Sequence, residues 1–453
     1  MRNKALFLLC AALLCAPLHA KVIGINVILN TPLTGVVLTD LGRYGMVRDV
    51  VPEIRAVTLQ ADSTRLAAIR ALLYVAAANP DVERKGAPVD TVAVTDFMDG
   101  LSTWNLDAIN VTNYEAGRTI GYDGSGVYVA VIDTGLLDSW RQYFPQERIA
   151  AQYAKSFGGG GGEVGNVSEQ PNKWEHDQNS HGTHVTSTIL GYSRFGSPVN
   201  GVAPMATVIP VKVLNQNGSG WSSVVARGIT YVADLKVGGL LGLSPVVINM
   251  SLGGSGLDAM EKAAIDYAIS VGVIIVASAG NEGTAGMGYP GAYAPVISVA
   301  ASGWIGEWPV GNRSWWRNTD VPETGAANFY ITDFSSRALP GQDLDVAAPG
   351  SWVVGPYQVN SGNRLSYYFL GGTSMASPHV AGIVALMLQK NSSLTAGAVE
   401  GYLTSSAIYL APGCRTVYQP SGPPQSICWG ADATGAGLAT ADAALAATPL
   451  PTP

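Results

Sequence analysis

The chain has 453 residues, of which 47% are apolar, 13% are charged and 54 are glycine. The apolar share excludes a disordered chain, and the length is ample for more than one folded unit. Residues 21–90 carry eight Lys/Arg against seven Asp/Glu, and residues 91–453 carry 16 against 26. The long segment therefore has no basic stripe, which excludes nucleic acid as a partner.

At the N-terminus, Arg2 and Lys4 precede an apolar run over residues 5–16, and Ala20 closes a small-residue site. That pattern reads as a secretory signal peptide over residues 1–20, too short for a membrane span. No later apolar run is long enough to cross a membrane, so the expected location is extracellular or periplasmic. Residues 22–29, 45–51 and 54–60 read as strands, and the apolar spacing over 63–77 predicts a helix. Asn79-Pro80-Asp81 reads as a turn. Together these make a small α+β unit over 21–90, closed by what reads as an exposed linker at 83–91.

From about residue 104 the pattern changes. Strands are expected at 126–135, 206–214, 245–253, 273–281 and 294–301, with helices at 181–192, 223–235, 257–272 and 374–390. Strands of near-continuous apolar character alternating with helices predict an α/β, doubly wound, mostly parallel sheet with helices on both faces. Residues 302–332 form a long insertion with Trp304, Trp308, Trp315 and Trp316, expected to pack against the body. Cys10 and Cys15 fall in the signal peptide, leaving Cys414 and Cys428. An even pair in an exported chain reads as a disulfide, here closing a Pro/Gly/Ser-rich loop. Residues 447–453 read as a disordered tail.

Ligands of doubly wound sheets bind at the carboxyl ends of the strands. Asp133 ends the strand VAVID, His181 opens the helix in HGTHV, and Ser374 opens the long helix in GTSMASPH. A serine hydroxyl needs a base to become a nucleophile, and a carboxylate is needed to orient that base. Asn281 in AGNEG, at a strand end, is placed to donate to an oxyanion beside the Ser374 N–H. HGTH has two histidines three apart, but no metal-binding HExxH pattern accompanies them. His176 and Asp177 read as part of a solvated loop.

VIDTG, HGTHV, AGNEG and GTSMASPHVAG, in that order, resemble the four signatures of the subtilisin-like serine proteases (peptidase family S8), over about residues 104–406. The resemblance implies a seven-stranded parallel sheet. It assigns Asp133, His181 and Ser374 to the triad and Asn281 to the oxyanion hole. Gly218, Ser219, Gly220 and Trp221 on one side, and Ser251, Leu252 and Gly253 on the other, match the strands between which a peptide adds as an extended strand. Gly280 and Gly288 match the S1 pocket, with Glu282 at its rim, which implies broad specificity favouring large apolar or aromatic P1 residues. Trp221 either walls the S4 pocket or packs on the surface.

The α+β unit resembles the family's ferredoxin-like inhibitory propeptide, an intramolecular partner released by a cut between residues 84 and 103. The peptidase domain then spans 91–446. The resemblance implies no catalytic cofactor, no catalytic metal, peptide or protein substrates and a monomer. The family's best-known calcium site is altered, since Arg194 or Phe195 and Gln142 stand where its ligands are expected, while calcium elsewhere stays open. Asp345 is expected to be structural. Two other activities share the sequence pattern: peptide ligation by the same triad, and a catalytically silent binding protein of the same shape.

Overall fold

The computed structural model describes residues 21–451, except 95–101, 114–116, 159–167, 171, 311, 313, 318–320, 322–324 and 360–364. The signal-peptide segment lies outside the described residues.

The N-terminal unit comprises β1 (Val22–Leu29), α1 (Gly35–Leu41), β2 (Met46–Val51), β3 (Ala56–Asp62), α2 (Leu66–Arg70) and β4 (Val75–Pro80). Its four antiparallel strands are ordered β2-β3-β1-β4. Alternation splits β1 cleanly: Ile25, Val27 and Leu29 join the unit's own core, while Asn26 and Ile28 face the rest of the molecule. The helix expected over 63–77 is only a turn at 63–65 followed by α2. Its second half is taken by β4, whose Ala77 and Ala78 pair with Ile28 and Val27. The turn expected at 79–81 is likewise displaced, because Asn79 and Pro80 continue this pairing.

The expected linker is also a strand. β5 (Glu83–Lys85) and β6 (Asp90–Ala93) both pair with the large unit, β5 with residues 219–221 and β6 with residues 368–371.

The large unit begins with the short helix α3 (Trp104–Asp107) and the central strand β7 (Tyr128–Asp133). Next come β8 (Lys155–Gly158), β9 (Ser168–Glu169), α4 (His181–Leu190), the hairpin β10 (Tyr192–Arg194) and β11 (Ser197–Val199), and β12 (Thr207–Lys212). β13 (Ser219–Trp221), α5 (Ser222–Val237), β14 (Val246–Met250), α6 (Ala259–Ser270), β15 (Val273–Ser278) and β16 (Ile297–Trp304) continue the alternation. β17 (Phe329–Ile331), β18 (Val346–Pro349), β19 (Val353–Pro356) and β20 (Tyr367–Gly371) precede α7 (Thr373–Lys390) and α8 (Ala396–Ser406). The hairpin β21 (Gly413–Val417) and β22 (Gln425–Trp429), then α9 (Ala441–Ala447), complete the chain.

The main sheet runs β9-β8-β12-β7-β14-β15-β16, with β17 and β18 both on β16. Strands β8, β12, β7, β14, β15, β16 and β18 are parallel, and β9 and β17 are antiparallel. Both faces are covered. Val129 and Val131 of β7 face the α4–α7 side, and Ala130 and Ile132 face α5 and α6. That is why these strands read as unbroken apolar runs rather than alternating ones.

In the insertion, Trp304 extends β16, and Trp315 and Trp316 are buried against Trp104 and Phe369. Residues 447–449 are not a loose tail: Thr448 is buried and Asn391 donates to the Pro449 carbonyl at 3.2 Å. Residues 452 and 453 lie outside the described residues.

Candidate active site

Chain direction switches sides at β7, which has β12 on one flank and β14 on the other. The crevice at its carboxyl end is where Asp133 sits, fully buried. His181, the first residue of α4, places Nδ1 at 2.8 and 3.0 Å from the two Asp133 carboxylate oxygens. A carboxylate only accepts, so Nδ1 carries a proton, which in the neutral imidazole leaves the lone pair on Nε2. His181 Nε2 has no hydrogen-bond partner among the described residues. A Cβ on Gly182 would lie 2.4 Å from the Gly135 carbonyl oxygen, so only glycine lets α4 start this close to the aspartate loop.

A buried network supports the pair. Thr134 donates its N–H to Asp133 at 2.6 Å and its hydroxyl to Asp177 at 2.6 Å, and its Oγ1 accepts from Gly182 N at 2.9 Å. Asp177 also accepts from the backbone N–H groups of Asn179 and Ser180. Asp177 is therefore not part of a solvated loop but the anchor of the turn that delivers His181. Burial pushes the Asp177 carboxyl up, a shift limited by Lys212 and these hydrogen bonds. Burial pushes Lys212 down, opposed by Asp177 and Asp133. His184 faces the core with Nε2 at 3.1 Å from the Val353 carbonyl, and burial lowers its pKa to about 3. It stays neutral and structural.

Ser374 is the second residue of α7. Its Oγ donates to the Ser251 carbonyl at 3.2 Å, and Ser251 Oγ donates to the Ser374 carbonyl at 2.8 Å. The second bond has a local cause. Pro378 lies four residues on and has no N–H, so the Ser374 carbonyl lacks its helical partner and Ser251 supplies one. Asn281 Oδ1 accepts from Thr373 N and Oγ1, both at 2.9 Å, which leaves its amide nitrogen as the group free to donate. Ser374, Thr373, Asn281, Glu282, Gly280 and Gly288 line one cavity of about 350 Å³. Glu282 among them accepts from Ser336 Oγ at 3.0 Å.

The two predicted binding strands are brought together, and the chain's own β5 lies between them. Ser219, Gly220 and Trp221 pair with Lys85, Arg84 and Glu83. Lys85 and Gly253 exchange N–H···O bonds of 2.8 and 2.9 Å, and Gly86 N donates to the Gly218 carbonyl at 2.9 Å. Leu252 does not face this groove; its side chain is buried in the α5–α6 core. Trp221 and Glu83 line a separate cavity with Lys173 and Lys212. Beyond the serine, Val89 N donates to the Gly371 carbonyl at 2.7 Å, and β6 pairs with β20. The stretch 83–93 is thus paired because it fills a groove edged by unpaired backbone groups. Composition alone reads it as a linker.

Of the altered calcium loop, Arg194 is buried in β10, while Phe195 is exposed and packs on Tyr367. Elsewhere Asp343, Asp345 and Glu400 bring carboxylate oxygens within 4.8 Å of one another. These are hard-cation donors, although Asp345 already accepts from Ser298 N and Oγ and is buried enough to hold its pKa at about 7. Cys414 and Cys428 are bonded directly across the β21–β22 hairpin, so the clipped segment is strand rather than loop at both ends. No helix among the described residues is long and apolar enough to cross a membrane.

The model of the subtilase family, peptidase S8, matches residues 124–434. A thermostable alkaline protease of Halalkalibacterium halodurans is 33% identical over 307 residues, covering 68% of each chain. Subtilisin DY of Bacillus licheniformis is 36% identical over 294 residues, 64% of this chain and 86% of that one. Among solved structures, fervidolysin of Fervidobacterium pennivorans is similar with a TM-score of 0.65 at 25% identity. That match covers 96% of this chain, which spans 62% of fervidolysin. With this fold, and with a buried Asp133–His181 pair and Ser374 lining the groove that β5 fills, the chain belongs to the subtilase family and is a serine endopeptidase.

Proposed function

We propose that the chain is an exported proenzyme whose nucleophile is Ser374. Export is supported by the leader pattern of residues 1–20 and by the disulfide. In this reading Ser374 Oγ turns from the Ser251 carbonyl to His181 Nε2, gives up its proton there and attacks the scissile carbonyl. The oxyanion is met by the Ser374 N–H and the Asn281 amide. His181 then protonates the departing amine, and water repeats the cycle on the acyl-enzyme. Asp133 fixes the imidazole tautomer and stabilises the imidazolium. The observation that carries the reading is the fully buried Asp133–His181 pair, whose Nε2 has no hydrogen-bond partner among the described residues.

The N-terminal unit is its own inhibitor, with residues 83–88 lying as a peptide substrate would. A Cβ on Gly86 would lie 3.3 Å from His181 Cε1, Ala87 lines the cavity of Ser374 and Asn281, and Pro88 Cα is near Gly372. The bond presented to Ser374 is therefore Ala87–Pro88, with Ala87 as P1.

Intact-mass analysis with and without a fluorophosphonate probe tests this. Wild type should lose the chain through Ala87 and gain one probe adduct. Ser374→Ala should remain uncut and unlabelled. A labelled Ser374→Ala variant, or wild type that stays unlabelled after an added protease removes residues 21–87, overturns the assignment.

A further inference from the structure

The groove holds a carboxylate that no step of the mechanism uses. Along β5 the side chains alternate: Glu83 and Lys85 are exposed, and Arg84 between them points inward and is fully buried. Its guanidinium meets Glu261 in a forked contact, Nε at 3.0 and 3.2 Å from the two carboxylate oxygens and Nη2 at 2.5 Å from one of them. Nη2 also donates to the Gly256 carbonyl at 3.1 Å. Glu261 is fully buried beneath it, on the first turn of α6, where backbone N–H groups favour a negative charge. Asp258, the N-cap of that helix, is buried next to it and accepts from Met260 N and Glu261 N. Burial works against the charge on Arg84, and the Glu261 carboxylate more than offsets this, so its pKa lies above the ordinary arginine value.

Arg84 is not an ordinary core residue. It lies on the strand that occupies the groove, one residue before the Lys85–Gly253 exchange and two before Gly86 at His181. Any peptide that replaces residues 83–87 in the same register sets its own side chain over Glu261. A buried carboxylate covered by an apolar side chain would lose water and gain no partner. A guanidinium supplies the missing partner, and its planar fork fits two carboxylate oxygens where an ammonium would not.

We propose that Glu261 makes the groove selective for arginine at P4, three residues before the cleaved residue, in substrates as well as in the chain's own segment. This rests on the protease reading above, and deepens it: a small P1 residue such as Ala87 suffices when arginine fills the distant pocket. Once the N-terminal unit leaves, Glu261 and Asp258 remain as an acidic pocket open to a basic side chain.

The experiment uses matured enzyme and a peptide series differing only at P4: Arg, Lys, Ala, Leu and Glu. The Arg peptide should exceed the Ala and Leu peptides in kcat/KM by about 10–100-fold, with Lys between and Glu lowest. Glu261→Gln should reduce the Arg/Ala ratio about tenfold, and Glu261→Arg should invert the Arg/Glu preference. If neither variant folds, the wild-type series alone decides. Equal turnover of the Arg, Ala and Leu peptides overturns the proposal while leaving the protease reading intact. No turnover of any peptide, together with no fluorophosphonate label, overturns both.

Discussion

In the proposed mechanism Asp133 acts through His181, since its carboxylate accepts from the imidazole and from the Thr134 N–H. Asp133→Asn should therefore lower kcat by about 10⁴-fold while KM changes little; the scale is borrowed from the same substitution in the chymotrypsin-type triad and from removal of the triad aspartate in subtilisin. Asn281 is different in kind, since Thr373 holds its carbonyl oxygen and only the amide end is free. Asn281→Ala should lower kcat by about 10²–10³-fold, again on a scale borrowed from subtilisin, with wild-type levels of folded protein by circular dichroism.

Glu307 offers a test away from the site. It is fully buried, and it accepts from Trp304 N, Tyr330 Oη and Ser351 Oγ. Burial raises its pKa to about 7, although those hydrogen bonds oppose the shift. A raised folded-state value means that the native state binds the proton more tightly than the unfolded chain. Stability from this group is therefore complete below about pH 4.5 and lost as pH rises through about 7. Melting temperature should fall between those values, and Glu307→Gln should make the fall shallower. Asp345, also held at about 7, supplies a remaining part of the slope with the same sign.

At the level of elements, α7 carries a proline in its sixth position and remains one helix. What makes this tolerable is Ser251, whose hydroxyl reaches the Ser374 carbonyl that Pro378 leaves without a donor. Ser251→Ala should destabilise the protein by about 1–3 kcal/mol, because a buried carbonyl loses its partner. Urea denaturation in a Ser374→Ala background reads this without self-digestion. Adding Pro378→Ala should recover most of the loss by restoring the helical N–H, and an additive double mutant would reject the link. The β21–β22 hairpin makes a second case. Cys414 and Cys428, separated by 14 positions, close a loop whose cross-link is worth about 3 kcal/mol in the chain-entropy model. Replacing both with serine should lower the melting temperature and open this hairpin first, as read by local hydrogen exchange.

At the scale of the molecule, the N-terminal unit and the large unit are joined by polar groups that neither sequence segment explains alone. Asn26, buried on β1, donates to Asp81 at 3.0 Å and to Asp258 at 2.9 Å, so one amide ties β1 to the cap of α6. Arg227 of α5 reaches back to Asp49 of β2. With Arg84 on Glu261, these contacts bring a segment of slight positive charge onto one that is strongly acidic. After self-cleavage, residues 21–87 should therefore stay bound and co-elute with the body on size exclusion. Asn26→Ala removes a hydrogen bond to a buried carboxylate, and should weaken that association by about tenfold or more.

The alternation of strands and helices is legible in residue order alone, because parallel strands covered on both faces must be apolar throughout. Residues such as Val129 and Ala130 show that directly, by supplying opposite cores. Residue order also marks Asp133, His181, Asn281 and Ser374 as candidates, since each falls at an element boundary where local chemistry is distinctive. The tertiary structure decided the rest. The apolar spacing over 63–77 predicts a helix, and pairing with β1 overrides it in the second half, which becomes β4. Asp177 looks like any loop aspartate until Thr134, Ser180 and Lys212 are seen around it. Leu252 sits in a motif expected to bind substrate, but the alternation of side chains across its segment sends it to the core. Residues 83–91 have the composition of a linker, and Glu261 that of an exposed helix residue. Their placement comes from a meeting of groups 177 positions apart, Arg84 with Glu261, and a contact of that range has no signature in local spacing.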